Sequence, residues 1–506
     1  MPSVIWQQNK INTVMRKNIG TTLKRLLPKY YRSRQFHQGS RVNEDVLIPL
    51  VTEKKEKEVE YEDLDDGGAH AKKLFNYKLA KTFLIIGSWT VNGLMMGIKF
   101  PTIPDLQERV GVKIADLTGA AAMRNVGWIM GCICGGIMFD RLRKTWDLQL
   151  AVGFFTQAFS VAFKPWCRSV EALAVLYWME GASHGIYGLV GNGMMIATWG
   201  GNSAAPLQAM HFGFKTGEFI APLLAYPFLS NTRGGQATVN SSLPVNGTGT
   251  EFDSNIEVPY FIVGAAAIVT SLVYLVFYLA PRPIGLTFTN QAKGTSLKDL
   301  LHPGSFTRGN VKFGVILMTC MFFYYTFVGT YSSHFHLLQA SIATDTLNAT
   351  KQEASLIVSA ARGAQLAGQF IFILIAKYTP MPFVVFTVTH AIAIINVVAI
   401  VYSLKSLLNF GIFGCVFDFF FASVWASGMA WAELYMDVTG SAIMIWNTGH
   451  GSGNTLIEWG SGYILQNYGA NSVMVLNAIF AAITCLVIYA TQSFMSYYGK
   501  KSREKS

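Results

Sequence analysis

Charged and amide side chains recur at helical spacing inside stretches of this chain that are otherwise apolar. Glu180, His184, Tyr187 and Gly191 follow steps of four, three and four, which puts them on one helix face with Asn192 beside it. His211, Lys215 and Glu218 share another face, where Lys215 and Glu218 are placed to pair. Arg362, Gln365 and Gln369 align on a third. A fourth stretch offers Asp418, Ala422, Trp425 and Met429. A fifth carries Asn447, Asn454 and Glu458 on one stripe with His450 close by, and a sixth adds Tyr325, Ser332 and His336. Ionisable groups in a bilayer are costly and face a cavity or a partner. One such residue is most simply a satisfied interhelical hydrogen bond. Six polar stripes together describe a hydrated cavity, because lipid would reject all of them.

The chemistry of such a cavity is recognition. Amides pair with hydroxyls and aromatic faces stack on sugar C–H surfaces, so the set suits a neutral polyhydroxylated solute. An anionic solute would call for unpaired cations, whereas Arg124 and Arg362 have acidic neighbours to neutralise them. A membrane-embedded acyltransferase with His450 or His184 as base needs no two-half layout, so no enzymatic activity is expected. The runs Gly188–Gly193 and Gly449–Gly453 superficially resemble nucleotide loops, but both sit inside apolar stretches and read as sites of close packing or flexing.

The elements that must hold these residues are membrane spans. Of 506 residues, 51% are hydrophobic and 14% charged, against about 25% charged in a soluble domain; the mean hydropathy is +0.33. Apolar stretches of about 20 residues, the length that crosses about 30 Å of hydrocarbon, fall near 80–101, 116–139, 147–167, 171–199, 206–229 and 259–280. Six more fall near 312–338, 354–376, 382–403, 407–432, 440–466 and 470–494. The expected fold is all-α and integral to the membrane, with twelve transmembrane helices in two pseudo-symmetric six-helix bundles. The expected division is a disordered cytosolic tail over 1–78, bundles over 79–281 and 312–496, a cytosolic loop over 282–311 and a short tail over 497–506. The net charge of +11 flanks apolar segments and forms no nucleic-acid surface. The six cysteines lie in or beside apolar segments, so no essential disulfide is expected, and the first span serves as the membrane signal.

Seventeen Lys and Arg residues flank the spans on the side of the termini and seven on the other, which places both termini in the cytosol. Sequons at Asn240, Asn246 and Asn348 fall in loops that the charge count makes external. These glycosylation sites favour the cell membrane. The expected partners are the bilayer and a small-molecule solute, with one chain as the functional unit.

Gly136-Ile-Met-Phe-Asp140-Arg141-Leu-Arg143-Lys144 resembles the major facilitator signature between the second and third helices, with Arg143 where that family usually has Gly. The resemblance implies a gating role for Asp140 and Arg141, the carboxylate satisfying helix-end amides across the gap between halves. Gly127, Gly131 and Gly135 on the same helix read as a packing stripe.

Further segments resemble the sodium-dependent glucose transporter branch of that superfamily, related to the bacterial fucose permeases. They are Pro101-Thr-Ile-Pro-Asp105-Leu, Arg124-Asn-Val-Gly127, Asn192 with Trp199-Gly200, Gln208-Ala-Met-His211-Phe and Gly217-Glu-Phe-Ile-Ala-Pro222. The resemblance covers roughly residues 80–495. It implies hexose transport by alternating access, with sodium as coupling ion and coupling carboxylates that bind it. Gly188 stands where an Asp is expected, and Asn454 and Glu458 where the branch tends to an acidic residue and then Pro. Glu180, Glu218, Asp418 and Glu458 are the carboxylates open to that role. Proton-coupled or uncoupled transport of another solute, and a non-transporting receptor or scaffold, are the alternatives.

Overall fold

The computed structural model describes residues 64–199, 203–230, 254–280, 311–376, 378–436 and 440–503, and every described regular element is helical. The first half comprises α1 (Leu64–Gly97), α2 (Lys99–Val110), α3 (Ile114–Arg141), α4 (Trp146–Ala162), α5 (Val170–Trp199), α6 (Ala204–Ala225) and α7 (Glu257–Leu279). The second comprises α8 (Val311–Leu347), α9 (Lys351–Ala376), α10 (Met381–Tyr402), α11 (Leu407–Phe421), α12 (Val424–Glu433) and α13 (Gly440–Arg503). Sequons Asn240 and Asn246, the loop over 282–310 and the tail over 1–63 lie outside the described residues, as does the Asp140 side chain.

By length and composition alone, eight described helices qualify as spans. One of them, Ala442–Tyr497, has 56 residues, enough for two crossings at 1.5 Å per residue. It is broken at Gly469, where φ is 79°. A glycine takes that left-handed value without the Cβ clash that other residues incur.

Several helices run past the expected ends. α1 starts at Leu64, inside the stretch expected as tail, and α13 continues to Arg503. The first span was expected to close at Pro101, yet α2 continues to Val110. Pro101 falls in the first turn of α2, where a missing N–H costs little, whereas Pro104 lies inside the helix and removes one of its hydrogen bonds. Their effect is the irregular turn at Ile98. The true stop is Gly111, at φ 70°, whose amide bonds back to Gln107 O at 3.0 Å. α8 runs to Leu347 and ends at exposed Asn348, whose φ of 54° is tolerated by a short polar side chain.

Packing repeats between the halves. α3 packs on α5 and α4 on α7; correspondingly, α9 packs on α11 and α10 on α13. The halves meet through α3 with α13, α6 with α9, and α2 with α8. Large apolar side chains outside are normal for a protein dissolved in lipid. On α7, Phe261, Val269, Leu272, Val276 and Leu279 are exposed, while Tyr260, Val263, Ala267 and Tyr274 face inward. Two of the buried tyrosines find oxygen partners, Tyr260 with Thr102 and Tyr274 with Ser88, both at 2.8 Å.

The α3–α5 contact is close because both backbones lack side chains where they meet. A Cβ at Gly131 would lie 2.2 Å from the Ala182 carbonyl oxygen, so the glycine stripe does pack helices as expected. Overpacking costs about 1–3 kcal/mol, so Gly131→Val should lower the melting temperature of detergent-purified protein and reduce its yield. Gly87→Ala is the control: a Cβ there meets nothing within 4 Å, and its melting curve should overlay that of the parent chain.

Candidate functional site

The buried charge of the first half is organised around Glu180 on α5. Arg124 on α3 donates its Nε to Glu180 Oε1 at 3.1 Å, and Lys164, just beyond α4, bonds the other carboxylate oxygen. Lys164 is fully buried and lies 4.2 Å from the centre of the Tyr177 ring. Arg124 also reaches His184 Nδ1 at 2.9 Å and Asn125 Oδ1 at 3.4 Å. His184 in turn lies 3.4 Å from Asn92 on α1, and Tyr187 contacts Asn92 Oδ1 at 2.5 Å and Gln157 Oε1. Four helices are thereby tied by one polar network.

The second half has its own pair. Arg362 on α9 lies 3.3 Å from Asp418 on α11, and His336 on α8 meets the other Asp418 oxygen at 2.6 Å. Gln365 Oε1 accepts from Arg362 at 3.3 Å. The guanidinium stands 4.8 Å from the centre of the Phe100 ring on α2, which links it to the opposite half. On α6, Lys215 and Glu218 pair at 2.7 Å, as their spacing implied. Each desolvated ion costs several kcal/mol, and a close opposite charge with added hydrogen bonds offsets it. Arg124 and Arg362 are both neutralised in this way, as expected from their acidic neighbours.

An aromatic belt joins the two halves. The Tyr325 ring is 4.3 Å from Trp425 and stacks on Trp446 at 5.7 Å. His450 on α13 lies 5.2 Å from Trp425 and 6.1 Å from Trp128 on α3. Several hydrogen-bonding atoms here are fully buried and have no partner: Arg362 Nε and Nη2, Trp446 Nε1, His450 Nδ1 and Asn454 Oδ1. α13 approaches α8 because Gly453 faces Thr326; a Cβ there would lie 2.1 Å from the Thr326 carbonyl oxygen. The Gly449–Gly453 run is thus a packing device, as read from its apolar setting.

Other candidates stand apart. Asn192 donates to Gly188 O within its own helix at 2.8 Å. His211 and Asn447 are half-buried without a hydrogen bond to another described residue, and Arg141 is exposed. Glu458 is buried and receives Asn125 Nδ2 at 2.8 Å and the Ser333 hydroxyl.

The two halves are tied together at the α8–α9 turn by groups that sequence reasoning did not select. Lys351, at the start of α9, reaches Glu108 at 2.6 Å, Ser230 Oγ at 2.7 Å and Asp105 at 3.3 Å, all in the first half. Beside it Gln352 donates to Leu229 O at 2.9 Å, Ser355 to Pro222 O at 2.7 Å and Ser359 to Phe219 O at 3.1 Å. Lys99, Asn92, Asn125, Gln157, Lys164 and Ser333 were likewise missed as site residues. Asn92 and Lys99 lie in one apolar stretch, so the criterion that found the six polar stripes would have found them. Lys164 and Lys351 sit at span ends, where a basic residue reads as a loop charge.

Glu180 holds two buried cations, so its neutralisation would leave both uncompensated. Removing one partner of a buried ion pair costs about 3–5 kcal/mol. Glu180→Gln should therefore lower the amount of folded protein and its melting temperature in detergent, and a Lys164→Met, Glu180→Gln double variant should recover part of both. An unchanged melting curve for the single variant would contradict a structural role.

No family model matches the chain. The sodium-dependent glucose transporter 1 of Danio rerio is 26% identical over 438 residues, covering 79% of this chain and 68% of that protein. The sodium-dependent glucose transporter 1A of Mus musculus is 25% identical over 416 residues, 78% of this chain and 93% of that one. Among solved structures, a D-xylose-proton symporter superposes with a TM-score of 0.61 at 14% identity, over 82% of this chain and 97% of the other; at that identity the likeness speaks to fold alone. The helix pairings repeated in each half and the polar site between them accord with that likeness: the chain is a distant homologue of the sodium-dependent glucose transporter 1 proteins and shares the all-helical fold of solved membrane transporters.

Proposed function

We propose that the chain moves glucose or a related hexose across the cell membrane by alternating access, coupled to sodium, with both termini in the cytosol. One observation carries the solute class. Buried nitrogens without hydrogen-bond partners, Trp446 Nε1 and His450 Nδ1, stand beside the rings of Tyr325, Trp425 and Trp128, while unpartnered Arg362 Nε and Nη2 belong to a guanidinium that lies against Phe100. A polyhydroxylated solute offers both donors and acceptors to such groups and a C–H face to the rings. Both arginines already face carboxylates, so the site has little net positive charge to reward an anion. The sodium reading is supported by the names of the relatives and by the buried carboxylates. The orientation is supported by the charge asymmetry and by exposed Asn348 at the α8–α9 turn.

The test is uptake of labelled glucose into cells expressing the chain, in sodium medium and in a sodium-free replacement. Saturable uptake that falls in the replacement medium, and is competed by unlabelled hexose but not by hexose phosphate, is the expected result. Trp425→Ala should raise KM about three- to tenfold, the equivalent of roughly 0.5–1.5 kcal/mol of ring contact. Absence of glucose uptake with the protein at the cell surface would overturn the hexose assignment.

A further inference from the structure

The four carboxylates open to a coupling role are not alike. Glu180 has Arg124 and Lys164, Glu218 has Lys215, and Asp418 has Arg362 and His336. Two other buried carboxylates, Asp147 and Asp105, are paired with Lys81 and Lys351. Glu458 is as buried as these, at 3% exposure, yet among the described residues it has no cation within ion-pair distance. Its hydrogen-bonding partners are neutral, the Asn125 amide and the Ser333 hydroxyl. A buried carboxylate without a cation in contact is expensive; Lys99 feels its charge but lies beyond ion-pair distance, and two neutral donors leave that charge in place.

A second observation points to what completes it. One turn earlier on the same face of α13, Asn454 Oδ1 is fully buried and bonds to nothing. It faces α8 at Gly329, where a Cβ would lie 2.5 Å from that oxygen. Ser333 is one turn beyond Gly329 on α8. Carboxylate, hydroxyl and amide oxygens are therefore presented by facing turns of two helices. Such all-oxygen sets suit hard cations, and transporters place coupling ions near the interface of their repeats. Among the described residues no group of three His, Cys, Asp or Glu side chains could hold a metal ion, so an ion at Glu458 needs the hydroxyl and amide oxygens as well.

We infer that Glu458, Ser333 Oγ and Asn454 Oδ1 form the binding site of the coupling sodium ion; this inference rests on the sodium-coupled reading above. Asn125 in the first half holds the second oxygen of Glu458, so occupancy of the site bears on the contact between halves. Lys99 supplies the competing charge. It is buried, has no carboxylate within ion-pair distance among the described residues, and feels Glu458 electrostatically. Its ammonium group repels an ion at Glu458.

The experiment is a sodium titration of purified protein in lipid nanodiscs, with choline keeping ionic strength constant, read as melting temperature and tryptophan fluorescence. The parent chain should show a saturable, sodium-specific response. Glu458→Gln and Asn454→Leu should abolish it, Ser333→Ala should raise its midpoint roughly tenfold, the scale on which lost support weakens ion sites, and Lys99→Met should lower the midpoint. Where Glu458→Gln fails to fold, Ser333→Ala and Asn454→Leu decide the matter. A response in the parent chain with unchanged midpoints in the variants would overturn this site and leave sodium coupling standing. No response in the parent chain, with glucose uptake indifferent to sodium, would overturn both.

Discussion

Hydrocarbon offers no water to a buried charge, and the internal architecture of this protein follows from that refusal. Glu180 is the clearest case, since Arg124 and Lys164 take one carboxylate oxygen each. Because these three groups come from three different parts of the chain, satisfying them also fixes how α3, α4 and α5 sit together. Arg362 and Asp418 do the same for α9 and α11 in the second half. Neutralising charge inside each half leaves the belt around Tyr325, Trp425 and Trp446 to rings and neutral polar groups, which is chemistry that suits a neutral solute.

The contact between halves is of a different kind. Backbone carbonyls of Phe219, Pro222 and Leu229 accept from Ser359, Ser355 and Gln352, and Lys351 bridges to two carboxylates and a hydroxyl. Each of the three neutral bonds is modest on its own, at about 0.5–1.5 kcal/mol, and the Lys351 contacts are the only ionic ones among them. A set of modest bonds can be broken and remade within the energy that a solute and an ion release on binding. The ion-paired triad in the first half, by contrast, is too costly to open in each cycle. Rigid halves and a separable seam are what alternating access needs.

Much of this was legible in the sequence. The spans, the glycine packing stripes and the Lys215–Glu218 pair follow from periodicity, because residues three or four apart on a helix share a face whatever the rest of the fold does. Neutralisation of Arg124 and Arg362 was legible as a tendency but not as a partner. That Lys164 meets Glu180, or that Lys351 meets Asp105 across 246 residues, depends on which helices are neighbours, and local spacing carries no such information. The same limit hid the difference between Glu180 and Glu458. Both are acidic residues on polar stripes, and only three-dimensional placement shows that one holds two cations and the other none. Asn192 and His211 show the converse, since a place on a polar face did not bring either side chain to a partner on another helix.

Alternating access as proposed requires the Lys351 seam to open during the cycle. The direct test is a distance measured by pulsed electron resonance between spin labels at exposed Lys113 and exposed Thr346, in nanodiscs with and without sodium and hexose, and again after Lys351→Ala. A seam that opens gives one short distance for the closed state and a second, longer population whose share changes with sodium and hexose and grows when Lys351 is removed. A single distance unchanged by ions, sugar and the Lys351 substitution would contradict it.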